Sequence, residues 1–367
     1  MKKSNQLKCL LLLLFIMVSS LVKAQQHRLP CGNGRIDTSA DNAARAYGKL
    51  HKNILSTNYL VRVYFHIFAD NNGGNPAATP AQVESEFTSL LNSYAGDNVC
   101  FIRIGVDYIN NSTLNNNFNA DTDPTGAALS PYYVAECINI FYMQAINGSN
   151  TACSPPCGYG GIALGGIPGT LFLVATGNIG GGNTIGHEMG HSLGLYHTFE
   201  KNYGFENING SNSSSTGDKV TDTPADPYAY NNLPCFAVNS SGLYSGNCPD
   251  PNRQTNFNPP YTNLMAYWGF GNPAATAGQF GRVNLFLLTY QPLIDCTSPS
   301  TVVLPTTNIT TGIFNRTAIT TLSTGGNSVL IKGTASSVLG ASEVILSPGF
   351  QALPTSGFTQ IIPRPCD

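Results

Sequence analysis

Three histidines and a glutamate crowd into eleven residues of this chain. Residues 187–197 read His-Glu-Met-Gly-His-Ser-Leu-Gly-Leu-Tyr-His, which sets His187, Glu188, His191, Gly194 and His197 at fixed intervals. The whole sequence has six histidines in 367 residues, so half of them fall here. Multiplying residue frequencies gives a chance expectation on the order of 10⁻⁶ for this pattern. His187 and His191 are four residues apart, so on a helix both imidazoles leave the same face. There they can grip one zinc ion at about 2.0–2.1 Å. Glu188 is turned about 100° from His187, which is wrong for a third ligand and right for reaching a water on the metal. Gly194 permits a turn with positive φ, and that turn can swing His197 back as the third ligand. Three histidines leave the fourth position open, the mark of a catalytic zinc. The metal would polarise a carbonyl and acidify a water, and Glu188 would take the proton and pass it to the leaving amine. A structural zinc would be expected to close its fourth position with Cys or His and has no use for Glu188.

The elements that must position this run are legible from periodicity. Residues 59–68 alternate apolar side chains at Val61, Val63, Phe65 and Ile67, which predicts a strand. Residues 79–94 predict a helix, with Thr79 as N-cap, Pro80 at the first helical position, and Val83, Phe87, Leu90, Leu91 and Tyr94 on one face. Further strands are expected at 99–109, 137–146 and 170–175, with a short edge strand within 160–166. A helix is expected over 183–196, ended by Gly194. From 201 to 260 the chain is loop-rich, and a last helix is expected at 278–290. Long irregular segments of this kind are usually functional or tied down by disulfides or ions. Near 297 the composition turns to Thr, Ser and Gly with short apolar runs, which predicts a small all-β module over 297–367.

Composition agrees with a strand-and-loop protein. The chain has 38 Gly, 23 Pro and only 10% charged residues, with a net charge of −2. That is no coiled coil, and nothing is basic enough for nucleic-acid binding. Residues 1–24 carry a basic start, an apolar run and a small residue at a cut site, which predicts a signal peptide and a secreted, extracellular product. No stretch is long enough for a membrane span. Cutting after Ala24 removes four lysines and leaves 14 basic against 20 acidic residues. It also leaves nine of the ten cysteines, an odd number, in a disulfide-permissive setting. Cys100 and Cys137 lie on predicted strands and could meet, Cys153 and Cys157 bracket a Ser-Pro-Pro turn, and Cys235, Cys248 and Cys296 surround the segment near Met265.

The histidine run, extended to its glycine and third histidine, resembles the metzincin metallopeptidases, which carry a Met-turn downstream. Asn263-Leu264-Met265-Ala266-Tyr267 supplies such a turn. His197-Thr198-Phe199 and residues 218–224, DKVTDTP, narrow the likeness to the pappalysin branch and its secreted bacterial members. The resemblance covers roughly residues 55–296. It implies an α+β catalytic domain over 56–296, with a mixed five-stranded sheet, a zinc helix and an irregular C-terminal subdomain. It implies endopeptidase activity on protein or peptide substrates, Met265 as an apolar floor under the histidines, and Tyr267 as a donor to the oxyanion. It also implies a structural Ca²⁺ in the loop after the zinc helix, where Asp218, Asp222 and Asp226 offer carboxylates; residue by residue these also read as turn and capping aspartates. The end of the chain resembles the coathanger-stack modules of secreted bacterial proteins.

Residues 25–55 read as a leader. Within it Arg28-Leu29-Pro30-Cys31-Gly32 resembles the cysteine switch of latent metzincins, in which a thiolate occupies the zinc. The odd cysteine count fits Cys31 kept out of disulfides, with cleavage near the basic residues at 45–52 releasing the enzyme. The competing arrangement has Cys31 in a disulfide and another cysteine reduced. Two further functions stay open from sequence alone: a binding or adhesion protein on a retired peptidase fold, and a zinc hydrolase of a non-peptide amide.

Overall fold

The structure, a computed structural model, describes residues 59–363 apart from 97–98, 136, 148–158, 167–168, 181–182, 270, 290–300 and short breaks at 305, 311–312, 318–320, 334–335, 342, 349 and 355–358. The signal peptide, the leader with Cys31, and Cys153, Cys157, Cys296 and Cys366 lie outside the described residues.

The fold is mixed α/β. Its strands are β1 (Tyr59–Ala69), β2 (Val99–Asn110), β3 (Phe118–Asn119), β4 (Ile138–Met143), β5 (Ile146–Asn147), β6 (Gly161–Ala163) and β7 (Leu171–Ala175). Its helices are α1 (Pro80–Ser93), α2 (Ser112–Asn117), α3 (Thr184–Ser192) and α4 (Ala277–Thr289). Five strands form one sheet in the order β2-β1-β4-β7-β6. The first four run parallel and β6 pairs antiparallel with β7 at the edge. Both faces are covered, as parallel strands require. Val61, Val63, Phe65 and Ile67 join the core under the helices, together with Val83, Leu90, Ile185, Met189 and Met265. Phe68, Phe141, Leu171 and Leu173 join a second core on the other face.

Helix α1 begins where the sequence puts it, with more than a simple cap. Thr79 accepts from Gln82 N, and Gln82 Oε1 accepts from Thr79 N at 2.9 Å, a capping box. The expected strand over 137–146 is two pieces, because Gln144 and Ala145 turn their N–H groups to Asn115 O between β4 and β5. The helix expected over 183–196 ends at Ser192. Leu193 N bonds back to Met189 O, and Gly194 then takes φ +88°. Residues 193–276 hold little regular structure beyond a 3₁₀ turn at Pro227–Tyr230. A disulfide joins Cys235 to Cys248 across this region.

The expected meeting of Cys100 and Cys137 does not occur. Cys100 stands in a disulfide, whereas buried Cys137 is a thiol donating to Ala135 O at 3.2 Å. Cys100 lies on β2 and Cys137 just before β4, and β1 separates those two strands in the sheet.

Among the described residues beyond 300, nine short strands alternate among three sheets: β8 (Thr301–Val303), β9 (Thr307–Ile309), β10 (Ile313–Thr317), β11 (Thr321–Ser323), β12 (Val329–Gly333), β13 (Ser336–Ala341), β14 (Glu343–Ile345), β15 (Phe350–Pro354) and β16 (Thr359–Pro363). Each sheet takes every third strand, in parallel pairing, so the chain winds as three turns of a three-faced coil. Leu304, Leu322, Val329 and Ile331 fill its interior.

Candidate metal centre and active site

Helix α3 packs against β6, β7 and α1, and every residue from Ile185 to Ser192 is buried. Its entry is fixed by α1. Glu86, buried on the same face of α1 as Val83 and Leu90, accepts from Gly180 N at 2.8 Å and from Tyr142 OH at 3.1 Å. Burial, above all, raises the pKa of its carboxyl. Ser93 Oγ donates to Asn183 Oδ1 at 2.6 Å, and Tyr94 OH donates to Gly186 O at 3.1 Å.

The helix then presents His187 and His191 on one side, as the i, i+4 spacing dictates. Gly194 reverses the chain, Leu195 N closes onto Gly190 O at 2.8 Å, and His197 comes back toward the helix. Arg282 of α4 holds the turn by donating from Nε to Gly194 O at 2.6 Å. The outcome is convergence: His197 Nε2 lies 3.0 Å from His191 Nε2 and 3.1 Å from His187 Nε2. Among the described residues, these three form the group of His, Cys, Asp or Glu whose candidate ligand atoms all lie within 4.8 Å of one another.

Hydrogen bonds on the far side of two of the rings leave the Nε2 atoms of His187 and His191 pointing inward as lone pairs. His187 Nδ1 donates to Leu264 O at 2.7 Å and His191 Nδ1 donates to Leu195 O at 2.8 Å. A neutral imidazole with its proton on Nδ1 has an acceptor at Nε2, and carbonyl partners of this kind set the tautomer of metal ligands. Burial, followed by the charge of neighbouring His187, holds His191 down at about 3. Burial, followed by His191 and His187, does the same to His197. His191 and His197 are therefore neutral across the physiological range. Three nitrogens at about 2.0–2.1 Å around a tetrahedral ion stand about 3.3 Å apart, so the observed spacing suits one zinc ion.

Glu188 is fully buried beside this cluster, under the edge strand. Met265 is fully buried below it, its Sδ against Gly190 of the helix, and Met265 O accepts from Thr198 N at 3.2 Å. The turn carrying Met265 is anchored by an amide pair: Asn263 Nδ2 donates to Gln279 Oε1 at 2.8 Å, Gln279 Nε2 donates to Asn263 Oδ1 at 3.1 Å, and Met265 N donates to Asn263 Oδ1 at 2.8 Å. Tyr267 stands beside the triad, its ring centroid 4.8 Å from that of His197 and 5.8 Å from that of His187. A cavity of about 280 Å³ opens next to it, bordered by His197, Phe199, Glu200, Tyr228 and Tyr267.

The three aspartates go to different places. Asp222 caps α4, accepting from Thr276 Oγ1 at 2.7 Å and from Gly278 N at 2.8 Å. Asp226 braces the lower wall, accepting from Thr198 Oγ1 at 2.5 Å, Tyr228 N at 2.9 Å and Trp268 Nε1 at 3.0 Å. Burial raises it to about 6 against these hydrogen bonds. Asp218 is buried near Glu206. One oxygen of Asp218 accepts from Val220 N, while Asp218 Oδ2, Glu206 Oε2 and Asn207 Oδ1 are buried without hydrogen-bond partners. Burial first, then the charges of Asp218 and Asp226, lifts Glu206 to about 8; burial lifts Asp218 to about 7.

Sequence reasoning missed Glu86, Asn263, Gln279, Arg282 and the bracing role of Asp226. A charged residue on the buried face of α1 was the signal available for Glu86; nothing marked the others. Cys31 lies outside the described residues, and with Cys137 a thiol, the odd cysteine count is met without it.

No family model matches the chain. It is similar to an extracellular metalloprotease of Neurospora crassa, 27% identical over 186 residues that span 47% of this chain and 59% of that protein. An extracellular metalloprotease of Sordaria macrospora is 26% identical over 247 residues, 63% of this chain and 75% of that one. One of Colletotrichum graminicola is 29% identical over 177 residues, 45% of this chain and 57% of that one. The chain thus spans about three-fifths of the Neurospora protein, and all three likenesses are distant.

Proposed function

We propose that the protein is a secreted zinc-dependent endopeptidase of the metzincin type, in the pappalysin branch. The observation that carries this reading is the meeting of three histidine Nε2 atoms beside a fully buried glutamate. Distant likeness to proteins named extracellular metalloproteases supports both the chemistry and the secretion. His187, His191 and His197 would hold the ion, which when bound supplies a Lewis acid for the scissile carbonyl and the attacking water. Glu188 takes the proton of that water on its carboxylate and delivers it to the leaving amine. Tyr267 OH donates to the developing oxyanion. Met265 gives the histidines an apolar support, and Leu264 O and Leu195 O fix two of the rings. As the last strand of the sheet, β6 offers its outer edge to an extended substrate for strand addition. No helix among the described residues is long and apolar enough to cross a membrane.

Two finer parts belong to the same proposal. A calcium ion is taken by Asp218, Glu206 and Asn207, whose orphaned buried oxygens are what a hard cation wants; Asp222 serves α4 instead. Cys31 keeps the unprocessed chain latent, a reading that now rests on the Arg-Leu-Pro-Cys-Gly run alone.

The test is casein cleavage by the processed protein, with o-phenanthroline to strip zinc and stoichiometric zinc to restore it. Loss and recovery of cleavage are expected. Cleavage that survives complete zinc removal would refute the proposal.

A further inference from the structure

The edge strand β6 is built from residues with almost no side chain where it crosses the metal helix. Side chains alternate along it. Ile162 points into the core on the far face of the sheet, while Ala163 belongs to the core shared with Ile185 and Met189 of α3. By period two, Gly161 faces α3 as Ala163 does. What lies there is Glu188: a Cβ on Gly161 would stand 2.6 Å from Glu188 Oε1, 2.7 Å from its Cγ and 2.9 Å from its Cδ. Real Cβ atoms do not approach so closely, and the Glu188 carboxylate is fully buried, with no solvent-filled direction of retreat.

Gly161 does not need to be glycine for its backbone. Its φ is outside the left-handed region, it is paired in register with Val174, and it lies in a strand where alanine is tolerated. Glycine weakens a strand by entropy and lost packing, and its presence there marks close approach of something else. The neighbouring residue repeats the device, since a Cβ on Gly160 would stand 2.8 Å from the side chain of Asn178. Ala175 N also bonds Gly160 O at 2.9 Å, so the strand cannot lift locally without losing pairing to β7.

From this we infer that Gly161 is a positioning residue for Glu188: the bare backbone of β6 forms one wall of the slot that fixes the carboxylate beside the histidine cluster. This inference rests on the peptidase reading for its functional consequence, while the contact itself stands on the packing alone. A misplacement of about 1 Å of a reacting group costs about 100-fold in rate. Gly161→Ala is therefore expected to lower kcat about 100-fold with KM changed less than about threefold, and to keep full zinc content. Gly177→Ala is the control, because Gly177 is exposed and a Cβ there meets nothing within 4 Å; its kinetics should equal wild type.

A stability cycle separates this inference from the peptidase reading. Gly161→Ala should lower Tm by roughly 2–12 °C through overpacking, and the loss should disappear when Glu188→Ala removes the opposing side chain. If wild type cleaves no protein, the peptidase reading falls while the Tm cycle still decides the contact. The inference is overturned if Gly161→Ala loses as much Tm in the Glu188→Ala background as in wild type. It is overturned equally if an active wild type and Gly161→Ala share the same kcat.

Discussion

The return of His197 depends on one backbone torsion, and Gly194→Ala tests that dependence with a control inside the same molecule. Gly194 has φ +88°, and a Cβ added there would lie 2.0 Å from Phe286 Cδ2 and 2.2 Å from Phe286 Cε2. Gly204 has φ +95°, but its nearest neighbour would be Thr216 Cγ2 at 3.5 Å, an ordinary contact. Both alanine variants suffer the left-handed backbone, about 1–2 kcal/mol. Only Gly194→Ala adds overpacking against a buried ring on α4, about 1–3 kcal/mol. The sums are about 2–5 kcal/mol at Gly194 and about 1–2 kcal/mol at Gly204, or roughly 4–20 °C against 2–8 °C in Tm at about 2–4 °C per kcal/mol. Melting the zinc-free proteins reads the fold alone. A chromophoric chelator competition then reads the metal. Displacing the turn moves His197, so Gly194→Ala should bind zinc about 10–100-fold more weakly, the range found when groups that orient ligands are lost. Gly204→Ala should bind it as wild type does. Equal Tm losses and equal zinc affinities in the two variants would refute the claim that this turn builds the third ligand.

Removing the Asp226 carboxylate by Asp226→Ala strands three buried donors, Thr198 Oγ1, Tyr228 N and Trp268 Nε1; at about 1–3 kcal/mol each, partly offset by relief of the buried charge, urea melts should show a loss of several kcal/mol. Without added cation, stability should fall as pH rises from about 4 to about 8. The reason is that Asp226, Asp218 and Glu206 stay protonated to about 6, 7 and 8 in the folded protein and so hold protons that the unfolded chain has released. Calcium should flatten that slope, and a calcium titration of Tm at pH 8 checks it; a slope that calcium leaves unchanged speaks against the site at Asp218. Reducing the Cys235–Cys248 bridge, or Cys235→Ser with Cys248→Ser, reopens a loop with a sequence separation of 13, and should cost about 3 kcal/mol of stability in denaturant melts.

How far the sequence could be read follows from the range of the forces involved. Residues 187–197 were legible because the i, i+4 spacing and the glycine act locally, and a local rule needs no partner. Strand β1 and helix α1 were legible for the same reason: alternation of Val61, Val63, Phe65 and Ile67, and a Thr-Pro start. The order of strands was not, because parallel pairing of β1 with β4 joins residues some 75 positions apart, Val63 with Ile138, and no local pattern announces such a partner. The stretch 201–260 was read as irregular and no further. Its shape is held by side-chain acceptors such as Asp226 and Asp250 and by edge-to-face contacts of Tyr228 with Phe236 and Trp268, which carry no period. Asp222 illustrates the ambiguity of a lone aspartate, since the same carboxylate that could hold a cation caps α4. Gly161 looked like any glycine of a glycine-rich run; only the position of Glu188 beneath it gives it meaning.

The proposed peptidase activity depends on what Glu188 does beside three histidines. The most direct measurement compares protein cleavage by wild type and by Glu188→Ala, with zinc content determined on both preparations. Wild type is expected to cleave casein with one zinc per chain, and the variant to keep its zinc and cleave nothing measurable. A zinc-loaded variant that cleaves as fast as wild type, or a zinc-loaded wild type that cleaves no protein, would contradict the proposal.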